Sequence, residues 1–257
     1  MISENKKLRV RAVWDNSGEM PPYITEEGLC IFTDCIHLEG SSSPSEVEER
    51  VFDFFRRLSE DSTGATIIAA IKLYPSVCGI ERAEKPRAII RGIFRAAVYG
   101  NISLMCQNIN SDKDLEAFLS LTSSIFCELE AEKREFNGYI SKGIMVETPL
   151  AALSAEFKGI DFICVNLDRI IPLILGHSMT KRKDMRNTNI LTSLTDALSE
   201  LFGDLKCKIS LFTSNFTTGS FVYELAETLS AEELLVPINV IDTEKNYDNK
   251  QKQNICQ

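Results

Sequence analysis

The chain has 257 residues, a formal net charge of -9 and a hydrophobic content of 44%, which is an ordinary composition for a globular protein. This length suits one large α/β barrel or two smaller domains. The acidic balance argues against a large nucleic-acid footprint and gives no attraction to anionic membranes, because both partners require basic patches.

Neither a membrane span nor a secretory leader is predicted. The apolar runs are short, and no apolar segment follows the basic residues near the N-terminus. The eight cysteines include no CxxC pair, and several lie within apolar runs, where a thiol behaves as a small buried hydrophobe. We therefore expect a cytoplasmic chain without a disulfide framework, a zinc site, a membrane partner or a nucleic-acid partner.

Short apolar, β-branched runs alternate along the chain with segments of helical periodicity. The eight predicted strands are Leu8–Trp14, Leu29–Thr33, Thr66–Lys72, Ile102–Cys106, Gly143–Val146, Asp161–Asn166, Lys208–Thr213 and Leu234–Ile241. The six predicted helices are Ser45–Leu58, Pro86–Val98, Ser111–Glu132, Leu150–Phe157, Thr188–Phe202 and Gly219–Leu229. This alternation predicts an α/β fold, a closed (β/α)8 TIM barrel over residues 1–245, with a doubly wound open sheet as the alternative. The polar residues 246–257 are predicted to be a disordered tail.

Four collinear segments resemble one protein family. Gly143–Leu153 (GIMVETPLAAL) is similar to the G-I/V-M-I/V-E-x-P-x-A-A segment of enzymes that use phosphoenolpyruvate (PEP). Asp161–Asn166 resembles the family's D-F-x-S-I-G-T-N-D-L strand, Arg91–Met105 its R-A-x-x-R-A-x-x-x-G-x-x-x-I-M segment, and Glu27–Phe32 its E-G-I/V-G-L segment. The chain is thus similar to the C-terminal, PEP-binding barrel of Enzyme I of the sugar phosphotransferase system and of pyruvate phosphate dikinase. No segment resembles the N-terminal part of Enzyme I, so a stand-alone copy is expected.

The resemblance implies a site at the C-terminal ends of the barrel strands. In this family, arginines and Mg²⁺ neutralise PEP, two carboxylates hold the metal, and a cysteine protonates the enolate. The implied Mg²⁺ ligands here are Glu147 and Asp168, although Asp168 lies one position late because Leu167 stands where the family has Asp.

Three further residues are implied to bind the substrate. Asn166 matches the asparagine of the family's T-N-D sequence, and His177 takes the position of a family arginine. Lys72 ends the third predicted strand and is the surviving cation of the mouth; its alternative is a lysine that reaches out to solvent.

Several positions depart from the family pattern. Thr33 and Ala69 stand where the resemblance places arginines, and Thr213 stands where it places the proton-donating cysteine. Losing one buried arginine–phosphate contact costs about 2–5 kcal/mol. The sequence therefore predicts a catalytically degenerate barrel that transfers no phosphoryl group from PEP.

Other residues near the predicted strand ends leave two interpretations open. Asp15 and Asp34 could add carboxylates to the mouth, and the basic run Lys181–Arg186 could hold a phosphate or be a solvated loop. The polar residues from Thr213 to Thr218 could bind a ligand or form a satisfied turn.

Three functional hypotheses follow. The first is a non-catalytic barrel that binds a ligand or a protein partner of a phosphotransferase-type system for regulation or scaffolding. The second is a Mg²⁺-dependent enzyme of the PEP/pyruvate superfamily that uses Glu147 on a pyruvate-like ligand. The third is PEP-dependent transfer with a histidine domain on another chain. Because relatives pair through their C-terminal barrels, the resemblance also implies a homodimer.

Overall fold

The computed structural model describes residues 8–15, 26–36, 38, 43–62, 64–73, 84–154, 157–176, 188–202, 207–214 and 219–241. Within these ranges, eight parallel strands close into a barrel in chain order, with β1 paired to β8. The strands are β1 (Arg9–Trp14), β2 (Leu29–Phe32), β3 (Ile67–Lys72), β4 (Ile102–Gln107), β5 (Lys142–Val146), β6 (Phe162–Asn166), β7 (Lys208–Phe212) and β8 (Glu233–Pro237). The predicted closed barrel is confirmed.

The described helices pack around the barrel. They are Pro44–Asp61, Glu84–Ala96, Asp112–Ala131, Pro149–Ser154, Leu167–Leu175, Thr188–Phe202 and Gly219–Thr228, with a 3-10 turn at Thr33–Cys35. The hydroxyl of Ser111 accepts a hydrogen bond from the backbone N–H of Asp114 at 3.3 Å, as a helix N-cap does. Among the described segments, no helix has the length and apolar character that a membrane crossing requires.

Two predictions about the elements were wrong. The last strand ends at Pro237, not Ile241, and residues 238–241 are helical, because proline has no N–H to continue a ladder. The helix Leu167–Leu175 was not predicted, since Pro172 lies inside it. Its end is marked by Gly176, whose φ of 68° is the left-handed conformation that commonly terminates helices.

Alternation along the strands sorts the core into two layers. The larger cluster lies between the strands and the helices, and the smaller one fills the barrel interior, with Val13, Cys30, Ile68, Ala70, Met105, Met145 and Cys164 among its members. Because side chains alternate between the two faces, Gln107, Glu147 and Asn166 continue the interior rows of β4, β5 and β6. The fold thus brings these three side chains to the C-terminal mouth.

The two arginines of the segment Arg91–Met105 are part of a structural network between helices. Arg91 binds Glu48 and Glu132, both at 2.6 Å, and Arg95 binds Glu48 at 2.8 Å and Glu49 at 2.7 Å. Burial favours a lower pKa for Arg91, but its hydrogen bonds to Glu132 and Glu48 outweigh that effect and raise the pKa. These charges hold together the helices Pro44–Asp61, Glu84–Ala96 and Asp112–Ala131.

A buried ion pair closes the N-terminal end of the barrel. Arg11 donates to Glu233 at 2.8 Å and to the carbonyl of Thr66 at 2.6 Å, while Ser210 donates to Glu233 at 3.2 Å. A Cβ on Gly28 would lie 2.2 Å from Arg11 Nη1, and the φ of Gly28 is 86°. Both features require glycine at this position. This end is filled, which leaves the C-terminal mouth as the place for a ligand.

Candidate functional site

The mouth is built from the residues at which the strands end. Lys72, Gln107 and Asn166 are the last residues of β3, β4 and β6, and Glu147 and Thr213 directly follow β5 and β7. All strands are parallel, so these positions meet at one edge of the barrel. The predicted site residues that the structure describes therefore share one end of the fold.

Glu147 is held by its two neighbouring strand ends. The backbone N–H of Asn108 donates to Glu147 Oε2 at 3.0 Å, and Nδ2 of Asn166 approaches Oε1 at 3.4 Å. Asn108 has a φ of 62°, a left-handed conformation that asparagine tolerates better than most residues. The carboxylate thus has a fixed orientation between β4 and β6.

Asn166 and Gln107 carry polar atoms without partners. Asn166 is 7% exposed, and its Nδ2 also lies 3.5 Å from the sulfur of Met145, but its Oδ1 accepts no hydrogen bond. Gln107 is 2% exposed, and its Nε2 donates none. Buried amide groups are nearly always hydrogen-bonded, so these two atoms on either side of Glu147 indicate a ligand or an ordered water.

Asp168 is tied to the end of β7. Thr213 Oγ1 donates to Asp168 Oδ1 at 3.0 Å, and the backbone N–H of Ser214 donates to Oδ2 at 2.7 Å. Asp168 lies in the first turn of the helix Leu167–Leu175, where the helix dipole also favours a negative charge. Both of its oxygens therefore serve contacts within the protein.

Lys72 pairs with an acid at the end of β2. Its Nζ lies 2.5 Å from Asp34 Oδ2, and both side chains are partly exposed. Asp34 belongs to the turn Thr33–Cys35, and desolvation together with Asp15 and Asp34 raises the pKa of the Cys35 thiol to about 11. Asp34 is thus an acid at the mouth, as the sequence suggested. It neutralises Lys72, the cation that was predicted to bind the substrate.

One assignment based on the resemblance needs correction. Ala69 belongs to the outer cluster between the strands and helices, whereas Ile68 and Ala70 face the interior. A side chain at position 69 points at the helices. The lack of an arginine there therefore does not change the charge of the mouth. Thr33 is buried in the turn after β2.

Other predicted residues lie outside the described ranges. These are His177, the basic run 181–186 and the polar residues 215–218. Sequence reasoning missed Gln107, although a polar residue at the end of an apolar strand run was the signal for it.

A Mg²⁺ at the mouth would depend on Glu147 and Asp168. Glu147 accepts hydrogen bonds from Asn108 and Asn166, whereas Asp168 accepts them from Thr213 and Ser214. In the part of the chain that the structure describes, no group of three His, Cys, Asp or Glu residues could hold a metal ion. Both carboxylates already accept hydrogen bonds within the protein, and a Mg²⁺ shared by Glu147 and Asp168 remains a prediction.

Comparison with known proteins finds a family match over part of the chain. Residues 77–202 match the family described as PEP-utilising enzyme, PEP-binding domain. Over 99 residues the chain is 33% identical to phosphoenolpyruvate-protein phosphotransferase of Haemophilus influenzae, and this stretch is 38% of the chain but 17% of that relative.

One solved structure shares the architecture. Haloferax volcanii malate synthase, solved with pyruvate and acetyl-CoA, matches 91% of this chain and 67% of its own at 9% identity and a TM-score of 0.51. An HpcH/HpaI aldolase from Desulfitobacterium hafniense covers 97% of this chain and 93% of its own at 10% identity, with a TM-score of 0.48. The malate synthase likeness shows the fold alone. Residues 77–202 thus match the PEP-binding domain family of PEP-utilising enzymes, and the described part of this stretch lies in the closed parallel barrel.

Proposed function

We propose that this barrel is a catalytically degenerate PEP-binding domain that acts by binding and transfers no phosphoryl group. The observation that carries the proposal is the hydrogen bond from Thr213 to Asp168. By the resemblance, Thr213 takes the place of the proton-donating cysteine. A threonine hydroxyl is a far weaker acid than a thiol, whose pKa is about 8.5, and here its proton is engaged with a carboxylate.

The charge of the mouth supports the same conclusion. PEP carries close to three negative charges and must be met by cations when it leaves water. Among the described mouth residues, Glu147, Asp168 and Asp34 are acidic, and the one lysine, Lys72, pairs with Asp34. A trianion would therefore meet repulsion there unless the residues of the segment 177–187 supplied compensating charge.

A second candidate function rests on the geometry of Glu147. This carboxylate is fixed at the end of β5, faces Asn166 and is not fully buried. A Mg²⁺-dependent enzyme of the PEP/pyruvate superfamily would use it with a pyruvate-like ligand, which needs fewer cations than PEP. PEP-dependent transfer to a separate histidine domain is the third hypothesis and requires the proton donor that Thr213 replaces.

A calorimetric titration with PEP in the presence of Mg²⁺ tests the proposal. We expect at most millimolar binding, unchanged in Glu147→Ala and in the control Glu227→Ala on an outer helix. Micromolar binding that disappears in Glu147→Ala alone would show that the site was rebuilt. Binding of oxalate or pyruvate with the same dependence would favour the second candidate.

We also propose that the chain acts as a homodimer, or with a protein partner of a phosphotransferase-type system. Leu150 and Leu153 follow β5, Leu173 follows β6, and the three side chains are 62%, 74% and 56% exposed on two helices that pack together. Exposed apolar patches of this kind occur at interfaces. Sedimentation should show a dimer that Leu153→Asp converts to monomer; a monomer at high concentration without that change would refute self-association.

A further inference from the structure

Two buried amide atoms of the mouth have no hydrogen-bond partner among the described residues. Gln107 Nε2 is a donor and Asn166 Oδ1 an acceptor, and both are buried. Leaving such groups without partners costs stability. The residues are therefore not explained by their contribution to folding, whereas a bound molecule would satisfy both.

Their placement makes them parts of one site. Gln107 is followed directly by Asn108, whose N–H holds Glu147 Oε2, and Asn166 holds Oε1 of the same carboxylate. On β4, the interior row runs from Ser103 through Met105 to Gln107, so the Gln107 side chain leaves the backbone on the side of the barrel interior. A donor and an acceptor thus flank a fixed negative charge.

The charges of the described mouth residues disfavour an anion. Glu147 and Asp168 lie at this edge, and the cation of Lys72 is paired with Asp34 at 2.5 Å. A ligand that carries its own negative charge would be repelled by Glu147, whereas one that offers a hydrogen-bond donor would be attracted. The complement to this site is an uncharged molecule with a carbonyl oxygen next to a hydroxyl or amide N–H.

From these contacts we propose that the mouth binds a small, uncharged hydroxy-amide or amide, with its carbonyl oxygen at Gln107 Nε2 and its donor at Asn166 Oδ1. This inference rests on the proposed binding function and names the ligand class of that site. Gln107 is then the residue that determines specificity, because its neutral amide donor suits a carbonyl oxygen and supplies no charge to an anion.

Lactamide and lactate form a matched pair of probes, since they have similar shape and differ in charge. We expect lactamide to shift the side-chain amide resonances of Gln107 and Asn166 in nuclear magnetic resonance spectra, with a dissociation constant of about 1 mM, as suits a ligand of its size. Lactate should bind about tenfold more weakly or not at all, because one charge-pair interaction near a protein surface is enough for that difference.

Variants separate recognition from a structural role. Gln107→Met should weaken lactamide binding at least tenfold and raise the midpoint of thermal unfolding by about 2–4 °C, since it removes a buried donor that has no partner. Ser103→Ala, four residues earlier in the same interior row, is the control and should leave lactamide binding unchanged. A loss of stability in Gln107→Met would instead mark Gln107 as structural and overturn the proposal.

The outcomes also separate this inference from the proposed function. If lactamide fails to shift the Gln107 and Asn166 resonances of the wild-type protein at tens of millimolar, only ordered water satisfies these atoms, and the inference is overturned while the degenerate assignment stands. Equal or tighter binding of lactate or PEP would overturn the ligand class. Release of pyruvate from PEP would overturn the proposed function, whatever the result with lactamide.

Discussion

Thr213 donates a hydrogen bond from Oγ1 to Oδ1 of Asp168 at 3.0 Å, across 45 residues of sequence. The resemblance gives these positions separate roles, one at the proton donor and one beside a metal ligand. Here they join the end of β7 to the helix that follows β6. The same contact therefore stabilises the barrel and engages two groups on which PEP chemistry would depend.

Thr213→Val should destabilise the protein by about 1–3 kcal/mol, because it leaves a partly buried carboxylate oxygen without its donor. Urea unfolding measures the difference. The control is Thr228→Val, where the hydroxyl bonds an exposed carbonyl within a helix, and its effect should stay within about 0.5 kcal/mol. An equal loss of unfolding free energy in the two variants would show that the hydrogen bond to Asp168 stabilises the protein no more than an exposed one does.

Arg91→Met should lower the free energy of unfolding by about 3 kcal/mol, because Glu48 is 8% exposed and would lose one of its two arginine partners. Chemical denaturation of the variant gives this value. Arg9→Met serves as the comparison, since Arg9 is largely exposed and lies 3.6 Å from Glu232, and little change is expected. A loss below about 1 kcal/mol in Arg91→Met would contradict the structural role assigned to the helix network.

Gly28→Ala should prevent stable folding, because its Cβ would lie 2.0 Å from the carbonyl oxygen of Thr66 and 2.2 Å from Arg11 Nη1. Gly64→Ala is matched to it. Gly64 has a similar φ of 90° but open space around the added carbon, so only backbone strain of about 1–2 kcal/mol is expected. Thermal unfolding distinguishes them, and similar midpoints for the two variants would mean that the buried ion pair at the N-terminal end of the barrel can rearrange.

The free energy of unfolding should fall as pH rises above 9. Burial raises the pKa of Cys164 well above the ordinary range of a thiol, so the unfolded chain loses this proton first. The stabilisation is complete below pH 9 and is lost as pH rises toward the folded pKa. In reducing buffer, unfolding at pH 8 and pH 10 should show a steeper decline for wild type than for Cys164→Ala, by up to about 1.4 kcal/mol per pH unit. Parallel slopes would argue against a buried neutral thiol.

The barrel was predictable from sequence because periodicity and strand spacing are local signals. Seven predicted strands end within one residue of the observed ones, while the eighth was extended past Pro237 because the apolar pattern continues to Ile241. The family motif placed Glu147 at the mouth. The resemblance could not reveal that position 69 faces the helices. The face to which each side chain points depends on how the strand is set in the assembled barrel.

The pairings within the mouth were beyond sequence reasoning for a different reason. Asp168 meets Thr213 and Lys72 meets Asp34 only after strands far apart in the chain have assembled. The unpartnered atoms of Gln107 and Asn166 are likewise a property of the packed barrel. Sequence supplied the residue types, and their contacts decide which of those residues remain available to a ligand.

Pyruvate release from PEP tests the central claim most directly. The assay combines the full chain, Mg²⁺ and PEP with a phosphorylatable histidine domain supplied in trans, beside an active phosphoenolpyruvate-protein phosphotransferase as positive control. We expect pyruvate release no faster than in the absence of the chain, because Thr213 cannot protonate the enolate and Asp168 is held by β7. Sustained release that depends on Glu147 would contradict it and show that the barrel retains phosphoryl transfer.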